Sequence, residues 1–260
     1  MSRGVSATYG RVRLEDGSVH FARVLGDEHA LLSRAPWDGG EPTGRVASGA
    51  LLAPVTPSKI ICVGRNYRAH AKEMGGDVPV EPLLFFKPPS SIVGPGEAIV
   101  LPPESARVDH EGELGVVIGK GGRRIPEHEA LAHVFGATSV NDVTARDLQK
   151  KDGQWSRAKG FDTFCPIGPW IETDVDPSDL SITCTVDGQV RQNGRTSQMM
   201  FDVPALVAYV SRAFTLEPGD VILTGTPEGV GPLAPGNKVT VAIEKIGVLT
   251  VSVAPPAPLA

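Results

Sequence analysis

The chain has 260 residues, enough to bury a substantial core in one domain or two. Its 41% hydrophobic and 21% charged residues are ordinary for a globular protein, and a net charge of −5 excludes the basic footprint of a nucleic-acid binder. No stretch approaches the roughly 18 apolar residues of a membrane span, and the opening MSRGVSATYG lacks the apolar centre of a secretory signal. Cys62, Cys165 and Cys184 are odd in number and far apart, which argues against a disulfide framework or structural zinc and makes the cytoplasm the expected compartment.

In chain order, TYGRVRL and SVHFARVL flank Asp16-Gly17, a hairpin signal, so residues 1–57 are expected to form a small N-terminal β domain whose end, rich in Gly, Pro and Ser, is a connector. A larger unit, 58–253, opens with the buried-strand pattern KIICVG. NYRAHAKEM (66–74) reads as a short helix, and LLFFKP, EAIVLP and GELGVVIGK read as strands. Pro126 is placed to begin a helix over PEHEALAHVF, and TSVNDVTARDLQKK to pass from strand to helix near Asn141 or Asp142. ITCTVDGQVRQ is a second Asp-Gly hairpin. Asp202 suits an N-cap for VPALVAYVSRAF, with Leu206, Tyr209, Val210 and Ala213 on one stripe. Strands close the unit, and 254–260 is expected to be a disordered tail. Strands outnumber helices without alternating with them, so the expected class is a β-rich α+β fold.

Four stretches could carry chemistry. In Glu111-Gly112-Glu113, residues two apart in a strand share a face, and two adjacent carboxylates are favourable there only with a cation or water between them. An all-carboxylate set suits Mg²⁺, Mn²⁺ or Ca²⁺ better than zinc; a solvated strand face is the plain alternative. If a helix begins at Asp142, then Asp142, Arg146 and Gln149 line one face, although Asp142 could equally serve only as an N-cap. Asn66, His70 and Glu73 repeat that spacing, and a His–Glu pair one turn apart can act as an oriented base. Thr224–Pro232 is a Gly-rich turn after an apolar strand that can bind an anionic oxygen but lacks the ending of a nucleotide-binding loop. Lys159 falls in an expected loop.

Together the stretches VGRNYRAHAKEMG, FFKPPSSIVGPGE, DHEGELGVVIGK, SVNDVTARDLQ, RAKGFDTFCPIGP, NGRTSQMMF and GDVILTGTPEGVGP resemble the fumarylacetoacetate hydrolase family over about residues 59–252. The resemblance implies that family's mixed β-sheet or β-roll catalytic domain, usually a homodimer. It implies Mg²⁺ or Mn²⁺ at Glu111, Glu113 and Asp142, catalytic roles for His70, Glu73 and Lys159, and substrate contacts from Arg146, Gln149 and Thr226. The substrate class implied is a small 2-oxo or enol dicarboxylate. The leading expectation is hydrolysis of the C3–C4 bond of an acylpyruvate such as fumarylpyruvate, through a pyruvate enolate. The wording DGQWSRAKGFDTFCPIGPW also looks like hydroxyheptadienedioate isomerases, and oxaloacetate decarboxylation occurs in the family too. A binding module that keeps the metal cradle without turnover is the remaining alternative.

Overall fold

The computed structural model describes residues 7–75 and 77–256. Their strands form one 12-stranded sheet, one five-stranded sheet and one three-stranded sheet, with few and short helices between them. The β-rich expectation therefore holds. Among the described residues, no helix is long and apolar enough to cross a membrane.

The centre of the large sheet is the strand Gly112–Ile118, every residue of which is buried. It pairs antiparallel with Val134–Asn141 on one side and with Val221–Leu223 on the other, and the latter pairs parallel with Ile60–Gly64. Val221–Leu223 and the start of Ile60–Gly64 are unbroken apolar runs, as expected where both faces of a sheet are covered. Glycines at 112 and 115 allow close cover: a Cβ at Gly115 would lie 2.5 Å from Val140 Cγ2.

The N-terminal strands belong to the same sheet. Thr8–Arg13 pairs antiparallel with Val19–Leu25 through the Asp16-Gly17 turn, and also with Cys165–Glu172 of the larger unit. Val12, Ala22 and Leu31 form a small core of their own there. The five-stranded sheet carries the second hairpin, Ser181–Val186 with Gln189–Arg195, whose turn residues Asp187 and Gly188 both adopt positive φ (51° and 77°). That is the geometry that matches the right-handed twist of the flanking strands.

Several local expectations are corrected. Residues Glu127–His133 wind as 3₁₀ turns rather than an α-helix, entered from an extended Pro126. The helix over 66–74 is shorter, Arg68–Glu73, so Asn66 lies ahead of it. Asp142 likewise precedes its helix, which begins at Arg146 after the short strand Thr144–Ala145. Lys159 lies on a short helix, Ser156–Gly160, not in a loop. Asp202 does cap Val203–Ala213, its side chain accepting from Ala205 N, but the buried stripe is Val203, Leu206, Val207 and Val210, with Ala213 in solvent. The last strand, Gly247–Ala254, reaches the start of the expected tail, and residues 257–260 lie outside the described residues.

Because Ile222 is 1% exposed in the strand joining the two halves of the sheet core, Ile222→Ala should destabilise the fold by about 2–5 kcal/mol, measured by chemical denaturation. A loss below the lower figure would mean that the sheet centre collapses around the missing methyls.

Candidate active site

Where Gly112–Ile118 begins, the strand period places Glu111 and Glu113 on the same side, and Asp142 follows directly from the end of the paired strand Val134–Asn141. Asp142 N donates to Glu111 O at 2.8 Å, fixing the two segments together. Each of the three carboxylates offers an oxygen within 4.8 Å of the others, and all three are buried. The solvated strand face is excluded, since Glu111 and Glu113 are only 3% and 2% exposed.

Burying carboxylates is costly unless they are paired and hydrogen-bonded. Lys159 Nζ bridges Glu111 Oε2 and Asp142 Oδ2 at 2.7 and 2.6 Å. Its ammonium also lies 4.9 Å from the centre of the Phe85 ring. Lys87 Nζ donates to Asp142 Oδ1 at 2.6 Å and to Val143 O at 3.1 Å. Arg146 Nη2 donates to Glu111 Oε1, its Nε to Asp109 Oδ2 at 2.8 Å, and its Nη1 to Gln149 Oε1 at 3.0 Å. Burial alone would raise the Glu111 carboxyl, but Arg146 and Lys159 outweigh it and hold that carboxyl below its ordinary range. Burial likewise opposes the charged Lys159, yet Asp142 and Glu111 overcome it and raise its pKa.

Glu113 is different. Its Oε2 accepts from Gly225 N at 2.8 Å, and it makes no ion pair among the described residues. Burial first, then the charges of Asp142 and Glu111, push its carboxyl well above the ordinary range. Among the described residues, no lysine or arginine pairs with it as Lys159, Lys87 and Arg146 pair with the other two. Each carboxylate oxygen has two lone pairs, so the single hydrogen bond on each oxygen of Glu111 and Asp142 leaves a pair for a metal. The three residues therefore fit a hard, oxygen-loving divalent ion, and their all-carboxylate chemistry favours Mg²⁺ or Mn²⁺ over zinc.

These groups open into a cavity of about 570 Å³ whose wall includes His70, Glu73, Gln149, Lys159 and Thr226. His70, 4% exposed, places Nδ1 3.1 Å from Glu73 Oε2. The other Glu73 oxygen accepts from Gly229 N at 3.0 Å, tying the helix Arg68–Glu73 to the Gly-rich turn. Gly229 is required there: its φ is +97° and a Cβ would lie 2.0 Å from Arg191 O. Thr226 Oγ1 donates to Gly112 O at 2.9 Å and accepts from Gln192 Nε2 at 2.7 Å, bracing the same turn. The nine residues to which the family resemblance gave roles thus lie around one cavity.

Asn66 faces elsewhere: its amide donates to Thr224 O and Phe201 O and accepts from Phe201 N, locking the segment before the helix. Sequence reasoning missed Lys87, Asp109 and Gln192. Lys87 follows an apolar run and looks like an ordinary strand-end lysine; only Asp142, distant in sequence, shows its role.

Residues 59–254 match the family Fumarylacetoacetate (FAA) hydrolase C-terminal. The human mitochondrial oxaloacetate tautomerase FAHD2A is 51% identical over 211 residues, spanning 76% of this chain and 67% of that protein. The crystal structure of 2-hydroxyhepta-2,4-diene-1,7-dioate isomerase from Mycobacterium marinum is similar with a TM-score of 0.89 and 44% identity, covering 97% of this chain and 100% of that one. Fumarylpyruvate hydrolase from Pseudomonas aeruginosa, solved with Mn²⁺ and pyruvate, matches with a TM-score of 0.74 and 38% identity over 80% of this chain and 93% of its own. With the family match spanning most of its length and its fold shared with these enzymes, the chain belongs to the fumarylacetoacetate hydrolase family.

Proposed function

We propose that this protein moves a proton at C3 of a small 2-oxo or enol dicarboxylate, interconverting keto and enol or diene forms. The observation that carries this reading is the buried His70–Glu73 pair on the wall of the same cavity as the acidic triad. Proton transfer at C3 needs a base that can take a proton and give it back, and no second reactant. His70 suits this: Glu73 engages Nδ1, which leaves Nε2 for the proton, and burial limits its loss to bulk water.

Glu111, Glu113 and Asp142 would hold a divalent cation, which when bound would supply Lewis-acid stabilisation of negative charge on the 2-oxo acid. Lys159 stays protonated beside Glu111 and Asp142 and adds a fixed positive charge at the same end. Gln149 gives its Oε1 to Arg146, so its amide NH₂ is left to orient the substrate. Arg146 acts through Glu111 and Asp109 as well as from the cavity wall. Likeness to a tautomerase at 51% identity and to an isomerase at 44% supports the proton-transfer reading.

Hydrolysis of the C3–C4 bond of an acylpyruvate is the second reading, favoured by the likeness to fumarylpyruvate hydrolase. His70 would then take its proton from water attacking C4, and the products would be pyruvate and a carboxylic acid. Oxaloacetate and fumarylpyruvate offered to the Mn²⁺-loaded protein separate the two. Accelerated loss of the oxaloacetate enol absorbance without pyruvate release supports proton transfer. Stoichiometric pyruvate from fumarylpyruvate, with no effect on the enol, replaces it by hydrolysis, and silence on both leaves a binding module.

His70→Ala should lower turnover of whichever substrate responds by roughly 10²–10⁴-fold at saturating Mn²⁺, the usual weight of general base catalysis. Near-normal steady-state rates in that variant would remove His70 from the chemistry. Mn²⁺ at about a hundred times its dissociation constant should stabilise the wild-type protein by about 2.7 kcal/mol. In Glu113→Gln, which loses one ligand charge, cation affinity measured by calorimetry should fall roughly tenfold or more. Unchanged affinity would place the ion somewhere other than this triad.

A further inference from the structure

We propose that Arg65 anchors the distal carboxylate of the substrate, so that the cavity selects 2-oxo dicarboxylates over 2-oxo monocarboxylates. The assignment rests on the reading of the site as one for 2-oxo acids.

The cavity wall carries Arg65, Arg107, Arg146, Lys150 and Lys159. Three of these are already engaged by protein carboxylates. Lys159 bridges Glu111 and Asp142, Arg146 holds Asp109 and Glu111, and Arg107 donates through Nε and Nη2 to Asp109 at 2.9 and 3.2 Å. Arg65 and Lys150 make no ion pair among the described residues. Of these two, Lys150 is exposed on its helix, where a flexible ammonium is fully served by water. Arg65 is half-buried, and its planar guanidinium matches a carboxylate through two parallel hydrogen bonds.

The backbone supports the choice. Arg65 has φ +56°, in the left-handed region that a residue with a side chain rarely adopts. It is the one non-glycine residue with positive φ that also lines the cavity, among the described residues. Its neighbours hold it there. A Cβ at Gly64 would lie 2.7 Å from Trp155 Cζ3, and Asn66 is fixed by hydrogen bonds to Thr224 O and Phe201. Unfavourable backbone conformations persist where the surroundings over-determine them, and they concentrate at ligand clamps. With the acidic triad claiming the 2-oxo acid end, an unneutralised guanidinium on the same cavity wall suits a second carboxylate.

Titrating the Mn²⁺-loaded protein with 2-oxoglutarate and with 2-oxovalerate tests this, because the two acids differ only in a terminal carboxylate against a methyl. The wild type should prefer 2-oxoglutarate by roughly ten- to a hundredfold, the range of a charge-assisted hydrogen bond. Arg65→Asn, whose asparagine tolerates positive φ, should lose that preference while binding 2-oxovalerate as before; Arg65→Lys should retain part of it. A preference that survives in Arg65→Asn, or that disappears in Lys150→Ala instead, overturns the assignment. Failure of the wild type to bind either acid would instead sink the 2-oxo acid reading itself, and this proposal with it.

Discussion

The rest of the site depends on one electrostatic imbalance: three carboxylates are withdrawn from water at one end of a buried strand, and the protein compensates only two of them. Glu111 and Asp142 are met by Lys159, Lys87 and Arg146, whereas Glu113 receives a single backbone N–H. Ionised groups out of water are stable only with matched partners. The surrounding elements can be understood as the means of bringing those partners in. Lys87 comes from an outer strand and Lys159 from a five-residue helix, while Arg146 begins the helix that follows the short strand Thr144–Ala145. The shortfall at Glu113 leaves the cluster short of positive charge, unlike a closed salt-bridge network, and that is what fits it to a divalent cation.

The cavity has a second, independent feature in the His70–Glu73 pair. Glu73 uses both oxygens, one for His70 and one for Gly229 N, so a single carboxylate orients the imidazole and joins its short helix to the turn that also supplies Gly225 N to Glu113. The His70–Glu73 pair and the acidic triad are therefore connected through one Gly-rich segment. Backbone approach this close is possible only because residues 225 and 229 have positive φ and no side chain.

Local patterns made much of this legible. The Glu111–Glu113 spacing follows from strand period alone, and His70 with Glu73 from helix period. Asp142 did not follow from periodicity as expected: it precedes its helix, and it reaches the cluster through strand pairing of Val134–Asn141 with Gly112–Ile118. Arg146 and Gln149, three apart on the helix Arg146–Asp152, do share a face, and Arg146 Nη1 donates to Gln149 Oε1. Lys87 and Asp109 were illegible because a charged residue next to apolar ones looks solvated until its partner is found, and the partners lie far off in sequence. The 3₁₀ turns at Glu127–His133 were misjudged because helix-forming residues after a proline do not distinguish the two windings.

The pairing of Thr8–Arg13 with Cys165–Glu172 has a consequence for handling the chain. The boundary suggested by composition, near residue 57, would part Thr8 and Tyr9 from their partners Glu172 and Ile171. Cutting there would strip the partner from Thr8–Arg13's side of Cys165–Glu172 and bare its backbone donors and acceptors to other molecules. Such an unprotected margin is a template for intermolecular strand addition. The first strands thus cover part of an edge that the larger unit would otherwise leave unpaired.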